Sequence, residues 1–182
     1  MNDTISAGDA IIRDAVDADM ASIQAIYAHH VMNGLASFEE VAPDVAELRR
    51  RRDEILKRRL PYRVAEIGGV VGGYAYAGPY RPRSAYRYTV EDSVYIANDM
   101  VGRGIGRRLL RDIVDICAGL GYRQMIAIIG DSANLPSITL HQRLGFAHVG
   151  TIRSAGLKFG RWVDSVIMQR PLGEGDGTPP SG

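Results

Sequence analysis

The chain has a single cysteine, Cys117, among its 182 residues. One cysteine cannot form an intrachain disulfide, and it cannot build a metal site from several thiolates. The chain also lacks an uninterrupted run of about 18 apolar residues, which a membrane-spanning helix requires. Its first residues, Met1-Asn2-Asp3-Thr4, lack the basic and apolar regions of a signal peptide, so we expect a cytoplasmic protein without a membrane partner.

The chain has almost no net charge, because 22 Lys and Arg residues stand against 21 Asp and Glu residues. This balance argues against a protein that is held mainly by the phosphates of a nucleic acid. Four consecutive arginines, at 49–52, could suggest a nucleic-acid patch. Glu47, Asp53 and Glu54 surround them, however, and this mixture favours a solvated helix face.

The length of the chain fits one domain, since domains cluster near ~100–200 residues. The last ten residues, 173–182, are rich in Gly and Pro and have almost no apolar content, which predicts a disordered tail. Neither an internal repeat nor a low-complexity linker interrupts the rest. We therefore predict a single domain over residues 11–172.

Apolar periodicity predicts mixed helices and strands. A short strand at 11–13 precedes two helices, the second capped by Asp44. Gly68-Gly69 separates two strand patterns, and this pair is typical of a hairpin turn in which both residues need positive φ. Further strands are predicted at 86–96, 124–129, 147–153 and 162–169, with helices that begin after Gly104 and Asn134. The order β-α-α-β-β-β-α-β-α-β-β indicates a mixed α/β fold.

Two adjacent carboxylates, Glu91 and Asp92, lie in the strand predicted at 86–96. Asp92 falls in the apolar phase that Tyr88 and Val90 set. This indicates either a β-bulge or a carboxylate that faces a site. Glu91 points to the opposite face of the strand.

A glycine-rich turn, Gly102-Arg103-Gly104-Ile105-Gly106-Arg107, follows that strand and opens a helix. The first N–H groups of a helix are unpaired and favour an anion, and the glycines let a phosphate approach the backbone. The turn does not end in Gly-Lys-Ser/Thr, so it is not a P-loop. The next strand lacks the acidic residue of a dinucleotide fingerprint. The alternative is a tight turn that only binds solvent.

The turn and the segment Asn134…His141-Gln142-Arg143-Leu144-Gly145-Phe146 together resemble the acyl-CoA-binding core of the GNAT superfamily of N-acetyltransferases. Three further blocks resemble the phosphinothricin and methionine-sulfoximine acetyltransferases of that superfamily. These blocks are residues 73–79 (GYAYAGP), 89–96 (TVEDSVYI) and 158–164 (KFGRWVD). The resemblance covers nearly the whole chain apart from the tail.

This resemblance implies an α/β fold with a mixed, centrally splayed sheet that is flanked by helices and holds acetyl-CoA in the opening. Strand backbone would pair with the pantetheine amides, turn N–H groups would hold the pyrophosphate, and a helix start would contact the CoA arm. The implied cofactor-binding residues are Val94, Tyr95, Ile96, Gly102, Arg103, Gly104, Ile105, Gly106, Arg107, Asn134 and Ser137. Val101 stands where the superfamily usually has Arg or Gln, a departure that leaves the glycine backbone intact.

Acetyl transfer requires a neutral amine, so a carboxylate that removes the ammonium proton is useful. Glu91 is the candidate, as base or as anchor of the substrate ammonium; the alternative is an exposed strand carboxylate. His141 stands where the superfamily often has a tyrosine that gives a proton to the leaving thiolate. A histidine, with a reference pKa of ~6.5, can do the same. The alternative is a histidine that packs on the core. Backbone N–H groups near Val94 could polarise the thioester carbonyl.

A loop with Arg81, Pro82 and Arg83 precedes the carboxylate-bearing strand. Guanidinium groups match carboxylate or phosphinate oxygens with two hydrogen bonds. In the resembling family this loop meets the amino-acid substrate; the alternative is two solvated arginines.

Other candidate residues are interpreted as structural. Cys117 lies on an apolar helix face and is interpreted as core. His29 and His30 point to different helix faces, and we predict no metal site. Trp162 is interpreted as a packing residue.

The sequence therefore predicts an acetyl-CoA-dependent N-acetyltransferase that acts on a small amino-acid-like amine, such as methionine sulfoximine or phosphinothricin. One alternative is an enzyme that acetylates a protein or peptide amine. Another is a non-catalytic acyl-CoA-binding sensor. A nucleic-acid partner is not expected, and the resemblance makes a homodimer plausible.

Overall fold

The helices and strands follow the predicted order. The computed structural model describes residues 10–180, so the residues that argue against a signal peptide and the last two residues of the tail lie outside it. The elements are β1 (Ile11–Asp14), α1 (Met20–Asn33), α2 (Val45–Lys57), β2 (Tyr62–Ile67), β3 (Val70–Pro79), β4 (Thr89–Ile96), α3 (Ile105–Gly119), β5 (Gln124–Gly130), α4 (Leu135–Arg143), β6 (Ala147–Lys158) and β7 (Arg161–Pro171).

The strands form one seven-stranded sheet in the order β1-β2-β3-β4-β5-β7-β6. Every neighbouring pair is antiparallel except β4 and β5, which run parallel. The parallel ladder extends only from Thr89↔Gln124 to Asp92↔Ala127, and beyond it the two strands separate. The predicted mixed sheet with a central splay is confirmed.

Helices cover both faces of the sheet. One face packs against α3 through Leu109, Leu110 and Ile113, which are fully buried. The other face packs against α1, whose apolar side includes Ile23 and Val31. Each such side chain stabilises the fold by roughly 1.5–3 kcal/mol when it leaves water, so the two cores fix the sheet between the helices.

Local signals at turns and caps are confirmed. Gly68 and Gly69 form the β2–β3 turn with φ of 57° and 81°, a region that glycine enters without steric cost. Asp44 caps α2, because its carboxylate accepts a hydrogen bond of 2.8 Å from the Glu47 N–H.

Several strand boundaries differ from the prediction. The strand predicted from residue 86 begins at Thr89, because Ser84–Tyr86 forms a short 3₁₀ turn. The last two strands are longer than predicted and meet at a tight turn, in which Phe159 and Gly160 have φ of 50° and 72°. A phenylalanine with positive φ gives no turn signal in a sequence.

The interpretation of the arginine run as a solvated face is only partly right. Arg50 and Arg51 pair with Glu47 at 2.8 Å on the exposed side of α2. Arg52 is buried and pairs with Asp17, which lies 35 residues earlier. Leu56, near the end of α2, is 42% exposed.

Trp162 is not the packing residue that the sequence suggested, because it is 64% exposed. It lies with other exposed apolar side chains on the β6–β7 hairpin, at one edge of the sheet. The exposed apolar residues of this hairpin are Val149, Ile152, Leu157, Phe159 and Trp162, and the strand register places Leu157 directly opposite Trp162.

Residues 173–180 form turns beside β5. The Arg123 guanidinium donates to the Gly175 carbonyl oxygen at 3.3 Å and reaches Thr178 Oγ1 at 3.3 Å. The disorder of the tail stays a prediction. The contacts of Arg123 with residues 175 and 178 do not support it. None of the helices between residues 10 and 180 is long and apolar enough to cross a membrane.

Candidate active site

A cleft opens where β4 and β5 separate. It brings together predicted residues from several elements, since Val94 and Tyr95 of β4 face Asn134, Ser137 and His141 across it. Asp92 lies at its narrow end, as the last residue of β4 that pairs with β5. The charged residue in the apolar phase is therefore a site-facing carboxylate, without a register shift in β4.

The β4 edge of the cleft carries backbone groups without a β5 partner. Residues 93–96 pair with β3 alone, so every second N–H and C=O faces the opening. An extended group with amides, such as pantetheine, fits such an edge. The carbonyl oxygen of Ile96 already accepts a hydrogen bond of 2.8 Å from His30 Nε2.

His30 is a site neighbour that the sequence did not reveal. Burial lowers the pKa of His30, and the bond to Ile96 opposes this shift. The ring is therefore neutral and donates through Nε2. It lies 5.5 Å from the ring of Tyr95, measured between centroids, so α1 supports the free end of β4.

The glycine-rich turn leaves the start of α3 open to an anion. Gly104 precedes the helix with φ of 79°, and no side chain caps the first N–H groups. The first turn contains no acidic residue, and Arg103 and Arg107 add positive charge. These features fit a diphosphate.

Gly106 also has a packing role, and its contact with the pyrophosphate stays a prediction. A Cβ there would lie 3.3 Å from Leu140 Cδ2 and 3.7 Å from Ile96 Cγ1, so its absence lets α3 approach α4 and β4. Val101 is 58% exposed and stands clear of this contact.

Asn134 begins α4 as its cap. Its side-chain oxygen accepts a hydrogen bond of 3.3 Å from the Ser137 N–H, and its Nδ2 lies 3.5 Å from the Gly130 carbonyl oxygen. Both residues also line the cleft. Their contact with the CoA arm stays a prediction.

His141 lies inside the cleft and is 4% exposed. Its Nε2 is 3.1 Å from Asp92 Oδ2, and its Nδ1 is 2.7 Å from the Ser137 carbonyl oxygen. Its ring also packs edge-on against Phe146, with centroids 5.0 Å apart. Burial lowers the pKa of His141, but the hydrogen bond and charge of Asp92 outweigh burial and raise it overall.

Glu91 faces the opposite side of the sheet, as predicted, and is half-buried. Burial raises its pKa, the Asp92 charge raises it further, and the Arg81 charge opposes both. A carboxylate whose pKa moves toward neutrality is a better match for a base that works near pH 7.

Arg81 and Arg83 lie in the exposed loop between β3 and β4, with Pro82 between them. Arg81 stacks on the Tyr80 ring at 5.0 Å. Neither guanidinium has an ion pair or hydrogen bond within residues 10–180, so both can receive an anion from solution.

A network of hydrogen-bonded polar side chains lies on the face of the sheet to which Glu91 points. The sequence did not indicate this network. The Tyr27 hydroxyl lies 3.0 Å from Ser37 Oγ and donates to Glu39 Oε1 at 3.0 Å. Arg51 donates to the same Glu39 oxygen at 2.6 Å. Burial raises the pKa of Tyr27 to about 12. These contacts join α1, α2 and the loop between them.

Lys158 ties that loop to the β6–β7 hairpin. It is 1% exposed, and its Nζ donates to the carbonyl oxygens of Gly34 at 2.9 Å and Ser37 at 2.6 Å. Ala36, between these two residues, lines the cleft. Burial lowers the pKa of Lys158. The lysine therefore holds one wall of the cleft in place.

Lys158→Met should lower the free energy of unfolding by about 2 kcal/mol or more, because each buried acceptor left unpaired costs ~1–3 kcal/mol. The chain has only one other lysine, Lys57, which is exposed and pairs with Glu54. Lys57→Met is the matched control, with an expected change of about 0–1 kcal/mol. Urea denaturation of both variants measures the difference, and equal losses would contradict the anchoring role of Lys158.

Cys117 is buried in the core, as interpreted, and burial raises its pKa to about 12. Within residues 10–180, His, Cys, Asp and Glu side chains form no group of three or more that could hold a metal ion.

Comparison with known proteins agrees with this geometry. A family model described as an acetyltransferase (GNAT) domain matches residues 12–167. A phosphinothricin N-acetyltransferase of Alcaligenes faecalis is 55% identical over 169 residues, which cover 93% of this chain and 86% of the relative. An L-methionine sulfoximine/L-methionine sulfone acetyltransferase of Pseudomonas aeruginosa is 41% identical, over 90% of this chain and 95% of the relative.

A crystal structure shares the whole architecture. It is that of a GNAT superfamily phosphinothricin acetyltransferase from Sinorhizobium meliloti in complex with AcCoA. The two chains are 48% identical and superpose with a TM-score of 0.92, over 95% of this chain and 94% of the other.

Proposed function

This chain belongs to the GNAT family of acetyltransferases, and from that premise we propose that its acceptor is the amine of a small amino acid related to phosphinothricin or methionine sulfoximine. The chain is an N-acetyltransferase, and acetyl-CoA is its acetyl donor. The observation that carries the acceptor proposal is the charge pattern beside the cleft. Two guanidinium groups, Arg81 and Arg83, which have no ion pair or hydrogen bond within residues 10–180, lie in the loop next to the half-buried carboxylate of Glu91.

An amino acid matches this pattern because it has a cation and an anion on neighbouring atoms. Its carboxylate would bind Arg81 and Arg83 with charge-assisted hydrogen bonds. Its ammonium would lie against Glu91, which takes up one proton and leaves a neutral amine. The same carboxylate can serve first as anchor and then as base.

The donor side of the proposal uses the features that fit acetyl-CoA. The free β4 backbone at 93–96 would hold the pantetheine arm, and the uncapped start of α3 would hold the pyrophosphate. Bound there, acetyl-CoA supplies an acetyl group activated as a thioester. Backbone N–H groups near Val94 would polarise its carbonyl. The cytoplasmic location stays a prediction. It agrees with a reaction that consumes acetyl-CoA, which the cytoplasm supplies.

A thiol-release assay with acetyl-CoA tests the acceptor. The panel contains phosphinothricin, methionine sulfoximine, methionine sulfone, ordinary amino acids and a peptide with a free N-terminus. We expect turnover of the small amino acids. The amide derivative of the best acceptor should turn over at least tenfold more slowly, because a carboxamide replaces its carboxylate.

Two outcomes would favour the other candidates. Turnover of the peptide alone would indicate a protein or peptide acetyltransferase. Acetyl-CoA binding in calorimetry without turnover of any amine would indicate an acyl-CoA sensor.

A homodimer is the second part of the proposal, and the exposed apolar residues of the β6–β7 hairpin support it. These five side chains lie at the β6 edge of the sheet. Sedimentation velocity should show a dimer of the native chain and a monomer for Trp162→Glu. Ile11 is 61% exposed on β1, at the opposite edge, so Ile11→Glu is the control that should stay dimeric. A monomeric native chain would contradict this part.

A further inference from the structure

The structure couples two ionisable side chains from distant parts of the chain at the narrow end of the cleft. Asp92 and His141 are 49 residues apart, and their side chains are 2% and 5% exposed. Asp92 is the last β4 residue paired with β5, so the pair lies where the splay begins. The second carboxylate oxygen, Asp92 Oδ1, is buried without a hydrogen-bond partner among residues 10–180 and belongs to a side chain that lines the cleft.

The contacts of this pair fix how many protons it holds. The Ser137 carbonyl oxygen can only accept a hydrogen bond, so His141 Nδ1 must carry a proton. The contact of 3.1 Å between His141 Nε2 and Asp92 Oδ2 needs a proton as well. Without it, two lone pairs would face each other in a buried site. The pair thus holds one proton more than a neutral imidazole and a carboxylate would hold together.

We propose that Asp92 is a positioning residue that keeps His141 protonated, and that this proton neutralises the thiolate of coenzyme A as it leaves. The inference rests on the acetyltransferase activity and extends it to a residue with no role assigned so far. In the step, the amine nitrogen forms a bond to the acetyl carbon after its own proton has passed to Glu91. The carbon–sulfur bond breaks with its electron pair on sulfur, the sulfur takes the proton of the pair, and the nitrogen gives up its second surplus proton to solvent, which leaves a neutral amide. The pair then regains a proton from solvent.

The surroundings favour retention of that proton. Within residues 10–180, the other titratable groups that interact electrostatically with Asp92 are Glu91, on the opposite face of β4, and Cys117 of α3. Burial raises the pKa of the Cys117 thiol to about 12, so it stays neutral. Glu91, when ionised, adds a second negative charge near the pair, which favours the cationic form of His141. The Phe146 ring limits rotation of the imidazole.

Nitrogen-resolved NMR of the native protein tests the protonation state directly. At pH 7 the His141 ring should carry protons on both nitrogens, whereas the half-buried His30 ring should carry one, on Nε2. The exposed rings of His29 and His148 give reference signals in the same spectrum. In Asp92→Asn, His141 should carry a single proton, on Nδ1. A singly protonated His141 in the native protein at pH 7 would overturn the proposal.

Kinetics tests the role in the reaction. In Asp92→Asn, kcat should fall about tenfold for each unit by which the pKa of His141 falls. The alkaline limb of the kcat profile should move to lower pH, and the acetyl-CoA KM should change little. Asp112→Asn, which removes a carboxylate that pairs with Arg63 away from the cleft, is the control. It should leave the profile unchanged.

A double-variant cycle separates this role from a structural one. If Asp92 acts through His141, Asp92→Asn should cause no further loss of kcat in a His141→Gln background. Additive losses, or an alkaline limb that stays in place in Asp92→Asn, would show that Asp92 only supports the fold. Acetyl transfer could then still occur, so this failure is distinguishable from failure of the proposed function.

Discussion

Glu91→Gln is expected to lower kcat/KM for the amine acceptor by about 10²-fold or more, the usual size of a general-base contribution. Glutamine keeps the shape of the side chain and cannot take up a proton. The acetyl-CoA KM should hold, since the proposed donor contacts are backbone groups of β4 and α3. Steady-state kinetics with the acceptor from the thiol-release assay measures the loss. Glu54→Gln, on the exposed side of α2, is the control with native kinetics.

The pH profile of this variant separates a base from an anchor. Burial and Asp92 raise the pKa of Glu91, so the fraction of active, ionised Glu91 grows as pH rises through that pKa. The native kcat/KM should therefore have an acidic limb, and Glu91→Gln should lose it if Glu91 is the base. An anchor would instead raise the acceptor KM and leave kcat at saturating acceptor near its native value. Native turnover by Glu91→Gln at every pH of the profile would contradict both roles.

Stability should move in the opposite direction to activity. A carboxyl group whose pKa is raised on folding contributes stability below its unfolded pKa and loses it as pH rises through the folded pKa. At pH 7 the ionised Glu91 therefore lowers the free energy of unfolding, and the Glu91→Gln substitution removes this unfavourable contribution. Equal or higher stability of Glu91→Gln would show that the lost activity is chemical. It would also indicate that the site keeps a carboxylate that destabilises the fold when ionised, because the reaction needs it.

The sequence predicted the elements because local signals set them. Periodic apolar residues defined α1 and α3, Gly68-Gly69 fixed a hairpin, and Asp44 marked a cap. The error at the β6–β7 turn has the same local origin. Phe159 has positive φ, although nothing in its type suggests it, so the two closing strands were predicted too short.

Residues of the candidate site could be predicted from the sequence only where they belong to a recognisable motif. The cleft does bring Val94, Asn134 and His141 together, but their partners come from far along the chain. Lys158 binds the Gly34 carbonyl across 124 residues, and Asp92 binds His141 across 49. Such pairs depend on the packing of the sheet, which periodicity does not encode. For the same reason, no sequence pattern reveals which arginine of a charged run is buried.

Arg81→Ala and Arg83→Ala are each expected to raise the acceptor KM about ten- to hundredfold, because a charge-assisted hydrogen bond contributes ~1.5–3 kcal/mol. The acetyl-CoA KM should change little. Arg87→Ala is the matched control, since Arg87 is exposed in the same loop region and stacks on Tyr88 at 4.7 Å. It should keep the native acceptor KM.

The acceptor amide makes this test specific for the carboxylate. If the two arginines bind that group, their removal should cost little with the amide, which lacks it. An equal increase in KM for the acid and the amide would mean that the loop acts by shape and that the carboxylate binds elsewhere. The two arginines also differ in one respect. The Arg81 charge lowers the pKa of Glu91, so Arg81→Ala should raise that pKa and move the acidic limb to higher pH. Arg83 has no such effect on Glu91, and Arg83→Ala should raise KM without moving the limb.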